Sequence, residues 1–134
     1  MKFWLVKQEP EKYSFDDLIR DKKTIWDGVR NYQARNNLRL MKKGDHLLFY
    51  HSVSEKAVVG IAKVTKPAFQ DPTDESGTWS VVEIEPLEKL ANPVTLKQIK
   101  AVKNLQEIAL IKQSRLSVMP LKRSEFNAIL KLNR

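Results

Sequence analysis

The chain alternates short runs of branched and aromatic residues with stretches whose apolar positions recur every three or four residues. FWLVK at 3–7 predicts a strand, ended by Pro10 because proline cannot donate to a ladder. Ser14, with Asp17 after it, predicts a capped helix start, and Phe15, Leu18 and Ile19 follow at helical spacing. A second helix is expected from about Asn31 to Met41, stopping at Gly44, with Ala34, Leu38 and Met41 as its buried stripe. Arg30 and Asn31, at its first turn, then project toward the interior, where polar groups need partners.

GDHLLFYHS at 44–52, VVGIAKV at 58–64 and TWSVVEIEP at 78–86 read as strands, the second with a glycine inside it. Between the last two, PAFQDPTDESG clusters prolines and acids and reads as a surface loop. Residues 95–112 have helical spacing with a break near Lys103 and Asn104. RLSVM at 115–119 is expected as a closing strand ended by Pro120, and Ser124 as the cap of a last helix bearing Phe126, Ile129, Leu130 and Leu132. The strand segments are short, and they lack the strict βαβ alternation of a parallel sheet. The pattern predicts an α+β fold: a small, mostly antiparallel β-barrel flanked by helices, one domain over residues 1–134.

Composition narrows the function classes. Lys and Arg number 24 against 16 Asp and Glu, a formal charge of +8, which favours a polyanionic partner through counterion release. The absence of cysteine excludes disulfides, thiolate nucleophiles and Cys-ligated zinc. His46 and His51 are the only imidazoles, and neither stands at a helical metal spacing, so neither metal nor cofactor is expected. The glycines at 28, 44, 60 and 77 are isolated, which leaves P-loop and Rossmann chemistry without support. The amino terminus has an apolar run of only FWLV, and no stretch is long enough for a membrane span. A cytoplasmic monomer is expected, or a nuclear one in a cell with a nucleus.

Four groups of residues carry candidate chemistry. WDGVRNYQARNNLR at 26–39 crowds amides and arginines together, with no acid between Asp27 and Asp45. Strand alternation puts Arg115 and Ser117 on one face, opposite Leu116 and Val118, so a guanidinium and a hydroxyl stand side by side. An ordinary exposed strand face fits that pair as well. In FYHS, Phe49 and His51 share one face and Tyr50 and Ser52 the other; an aromatic beside a histidine at a strand end suits a base-stacking slot, and equally a core or a barrel rim. Trp26 precedes an Asp-Gly turn, where an indole can offer its face to a ligand. Lys7 and Glu9 alternate on one strand face, as a salt bridge or as an acid–base pair.

WLVKQEP at 4–10, YSFDDL at 13–18, WDGVRNYQARNNLRLMKKGD at 26–45, LFYHS at 48–52, VVGIAKV at 58–64 and SRLSVMP at 114–120 together resemble the EVE domain family, in order and spacing, almost end to end. The resemblance implies a PUA-like barrel with flanking helices and a pocket for a modified nucleobase, methylated or hydroxymethylated cytosine in DNA being the leading proposal. A base lifted from its stack loses pairing and stacking partners, which amide, hydroxyl, guanidinium and aromatic groups can replace. On the matching blocks, Arg30, Asn31, Arg115 and Ser117 become edge readers, and Trp26, Phe49, Tyr50 and His51 become walls. Arg35, Arg39, Lys42 and Lys43, directed outward, become phosphate contacts. The acidic loop from Phe69 to Gly77 is expected on the far side of the molecule.

Two other functions fit the same residues. The related ASCH branch includes hydrolases of acylated cytidine that use a lysine and a carboxylate, for which Lys7 and Glu9, with His51 as a proton shuttle, would serve. A general RNA-binding accessory domain would share the basic surface without requiring a modification.

Overall fold

The computed structural model describes residues 1–133. Six strands form one mixed sheet: β1 (Phe3–Gln8), β2 (Thr24–Ile25), β3 (His46–His51), β4 (Ala57–Gln70), β5 (Ser80–Thr95) and β6 (Val118–Leu121). Five helices accompany them: α1 (Phe15–Asp21), α2 (Tyr32–Leu40), α3 (Leu96–Lys100), α4 (Ala109–Lys112) and α5 (Arg123–Lys131). The order across the sheet is β2-β5-β4-β3-β1-β6, with β1 and β3 parallel and every other pair antiparallel. The expected barrel is therefore described as a sheet with β2 and β6 at its ends. The single parallel pair is possible because α1, β2 and α2 supply the long crossover that such a pair needs.

Local chemistry explains most boundaries. Ser14 and Asp17 form a reciprocal capping box at α1, and Asn31 caps α2 by accepting from the Ala34 N–H at 2.9 Å. Ala34, Leu38 and Met41 are all buried. The glycine within β4 has a packing reason: a Cβ at Gly60 would lie 2.5 Å from Cε1 of Phe15, so α1 rests its aromatic ring in that space.

Several expectations need correction. β4 and β5 run well past 58–64 and 78–86, because register slips along their shared ladder absorb Pro67 and Pro86, and the predicted loop starts only after Gln70. The segment 95–112 does break near Lys103 and Asn104 as expected, a 3-10 turn at Lys103–Leu105 lying between two short helices. Pro120 lies inside β6 opposite Trp4, tolerated because β6 is an edge strand, and Arg115 and Ser117 precede that strand. α5 starts two residues early, with the Lys122 N–H donating to the Glu125 carboxylate at 2.7 Å, so Ser124 is not its cap.

Asp45 is a buried polar hub, accepting from the indole of Trp4 and from the backbone N–H groups of Lys2 and Lys42. Burial pushes its carboxyl up, but these hydrogen bonds outweigh it and hold the pKa below the usual value. The hub fastens the start of β1 to the turn after α2, which fixes where the other end of β1 emerges.

Candidate functional site

The donors crowded into residues 26–39 are answered mostly by the protein itself. Arg30 donates to Asp71 at 3.0 Å and to the Thr73 hydroxyl at 3.1 Å. Asp71, with its side chain fully buried, also accepts from the Gly28 N–H and from both the N–H and hydroxyl of Thr73. Burial alone would raise that carboxyl; the Thr73 hydroxyl, the two backbone N–H groups and Arg30 instead hold its pKa at about 2. Arg35 donates to the Thr78 carbonyl while lying 4.9 Å from the Tyr32 ring centroid, and Arg39 donates to Ser80 and the same carbonyl. Asn37 donates to the Val118 carbonyl.

Two expectations change with this. Arg30 and Asn31 are exposed and do not point inward, because Asn31 stands outside the helical turn as its cap and Arg30 is drawn to Asp71. The acidic loop lines no part of the cavity described next, and its first acid is the anchor of the WDGVR block. Lys42 and Lys43 are exposed in the turn after α2 and do not line the cavity described next.

A cavity of about 650 Å³ opens where β1 and β3 end together. Lys7, Gln8 and Glu9 from β1 and its exit form one wall, Tyr50 and Ser52 another, and the segment Ser114–Ser117 a third. Lys56 from the β3–β4 turn, with Leu96 and Lys100 of α3 and Leu110 of α4, completes it, and the exposed Val53 stands at its lip. Its volume falls within the roughly 300–1,000 Å³ typical of small-ligand sites. Thus Tyr50, Arg115 and Ser117 meet in one place, as strand alternation alone could not determine.

The β1 ladder holds these walls in register. The Lys7 N–H donates to the Ser117 carbonyl at 2.9 Å, and Lys7 Nζ donates to the Ser114 carbonyl at 2.7 Å. That ammonium lies 5.9 Å from the Tyr50 ring centroid, and burial depresses its pKa. Burial also raises the pKa of the Tyr50 phenol. Lys7, Lys12, Lys56, Lys100 and Arg115 face a single acid, Glu9, which Lys12 pairs at 2.9 Å, so the mouth is electropositive.

Trp26 lies beside this cavity and not in it. It borders a hollow of about 260 Å³ with Tyr13, Thr24 and Asp27, whose walls share Gln8 and Lys12 with the larger cavity. The indole is 5% exposed and meets Phe49 edge-on, with centroids 5.3 Å apart. Phe49 is wholly buried between Phe15 and Trp26. His51 Nε2 accepts from the Phe15 N–H, so its proton resides on Nδ1, 2.7 Å from Glu55. Phe49 and His51 therefore support the fold behind the cavity, and neither lines it.

Sequence reasoning did not single out Gln8, Lys12, Ser52, Lys56, Lys100 or Ser114 as site residues. The usable signal was the alternation of Lys7 with Glu9 and of Tyr50 with Ser52, which put polar groups at the ends of two strands. Among the described residues, no cluster of three His, Asp or Glu could hold a metal, and no helix is long and apolar enough to cross a membrane.

Comparison with known proteins now bears on this geometry. Human thymocyte nuclear protein 1 is 34% identical over 163 residues, covering 96% of this chain and 72% of that protein. A solution structure of a protein from Rhodopseudomonas palustris superposes with a TM-score of 0.94 at 39% identity, covering 99% of this chain and 93% of the other. A crystal structure of human THYN1 in complex with 5-methylcytosine-containing DNA superposes with a TM-score of 0.93 at 32% identity, covering 100% and 98%. The sequence model of the EVE domain matches residues 2–132, and with it this chain belongs to the EVE domain family.

Proposed function

We propose that this chain is a non-catalytic reader of a modified base in DNA, a methylated or hydroxymethylated cytosine held flipped out of its stack. The observation that carries the reading is the homologous human THYN1, whose structure is a complex with 5-methylcytosine-containing DNA. The cavity supports it chemically. Arg115 and Ser117 offer donors and an acceptor to a base edge, Tyr50 contributes an aromatic surface, and Lys12, Lys56 and Lys100 surround the mouth where phosphates would pass. Arg30, Asn31, Phe49 and His51 take structural roles in this reading, as do Arg35 and Arg39, whose guanidiniums hold the loop before β5. Titration of the protein with matched duplexes carrying cytosine, 5-methylcytosine or 5-hydroxymethylcytosine tests it, with an RNA of the same sequence as competitor. Tighter binding to one modified duplex is expected; equal affinity for all of them would leave only a cationic surface.

A second reading has one specific observation in its favour: Lys7, its pKa depressed by burial, shares the cavity with Glu9. Such a pair would serve a hydrolase of an acylated cytidine. Turnover of that nucleoside, abolished by Lys7→Ala, would replace the reader with an enzyme.

A further inference from the structure

The turn between β3 and β4 places an apolar side chain in an unfavourable backbone state at the lip of the cavity. Val53 has φ of 68°, a left-handed conformation that a β-branched residue rarely adopts, and its neighbours close a three-residue turn through the Ser54 N–H to the Ser52 carbonyl at 3.0 Å. Its side chain gains little from the fold, since the residue is 62% exposed. Strain of this kind persists only where the surroundings over-determine it. Here they do: the Ser52 N–H donates to the Gln8 carbonyl, the Ser54 hydroxyl donates to Glu11 at 2.9 Å, and Glu55 accepts from His51 at 2.7 Å. The turn is thus fastened to the β1 exit and to the core beneath, and it exposes one bare isopropyl group at a cavity that Lys12 and Lys56 also line.

An apolar tip among cations beside a cavity large enough to admit a base matches what base extrusion requires. A base swung out of a duplex leaves a gap between its neighbours, and a small apolar wedge entering that gap recovers part of the lost stacking while nearby lysines neutralise the phosphates. We propose that Val53 is this wedge, entering the duplex at the site of the modified base while the base occupies the cavity. The proposal rests on the reader function above and assigns Val53 to the extrusion step, with the base itself read by Arg115 and Ser117.

The test uses the full chain and two variants, Val53→Gly and Val53→Asn, both of which tolerate positive φ and should melt at or above the wild-type temperature. Each is titrated against one 5-methylcytosine in a duplex, against the same strand unpaired, and against the unmodified counterparts. A 2-aminopurine beside the modified base reports unstacking. The expected result is roughly tenfold weaker duplex binding by both variants with a smaller fluorescence rise, while binding to the unpaired strand stays within about twofold. Duplex affinity equal to wild type would overturn the wedge. An equal loss on duplex and single strand would overturn it too, because Val53 would then act on the base in the cavity and not on the duplex. If the wild type itself fails to prefer the modified base in either form, the reader function falls and the wedge falls with it, a pattern distinct from the other two.

Discussion

Replacing Asp71 by asparagine tests whether the arginine in the WDGVR block is there for the fold. The substitution keeps the shape and removes the charge that Arg30, Gly28 and Thr73 converge upon. The carboxyl falls from an ordinary 3.8 to about 2 on folding, which is worth roughly 2 kcal/mol of stability at neutral pH. For a domain of this length that corresponds to a drop of roughly 7 °C in melting temperature. A carboxylate whose pKa is depressed by folding stabilises the native state above its unfolded pKa and loses that contribution as pH falls through the folded one. The gap between wild type and Asp71→Asn should therefore be full at pH 7, shrink to about half at pH 3, and nearly close below pH 2. Urea unfolding of both proteins at pH 7 and pH 3 measures it. A gap of equal size at the two pH values, or one under about 0.5 kcal/mol at pH 7, would refute the assignment and leave Arg30 available for a ligand.

Three further outcomes follow from the same geometry. Gly60→Ala should destabilise the protein by about 1–3 kcal/mol in thermal or denaturant unfolding, because the Phe15 ring fills the space a methyl would need; an unchanged melting curve would show that α1 shifts freely. Arg115→Ala should cost about 1–3 kcal/mol of discrimination between modified and unmodified cytosine, read by competition binding, without altering the salt dependence by a full phosphate contact. Lys56→Ala should do the opposite, weakening binding to every duplex alike and reducing the slope of log affinity against log salt by about one.

The elements were legible in the sequence where one residue type decides the local outcome. Ser14 and Asp17 mark the start of α1, Asn31 stands at the start of α2, and the Ala34–Leu38–Met41 stripe is buried as its spacing requires. Pairing across the chain was not legible. Arg30 finds its carboxylate 41 residues away, in a stretch whose prolines and acids read as solvent-facing loop. The alternation in β3 separated Phe49 and His51 from Tyr50 and Ser52, but it could not say which pair faces the cavity, since residues 47–51 are all buried. Trp26 shows the same limit: a tryptophan before an Asp-Gly turn is as compatible with packing on Phe49 as with meeting a guest. Arg115 and Ser117 were grouped on the right side of their segment even though the strand itself begins later.

Strand β3 divides labour between neighbouring residues along a single stretch of backbone. Its odd-numbered aromatic and imidazole, Phe49 and His51, grip Trp26 and the helix start at Phe15, while Tyr50 between them belongs to the hollow on the other face. A substitution at Tyr50 therefore reshapes the hollow while the grip that Phe49 and His51 keep on the scaffold stays as it is.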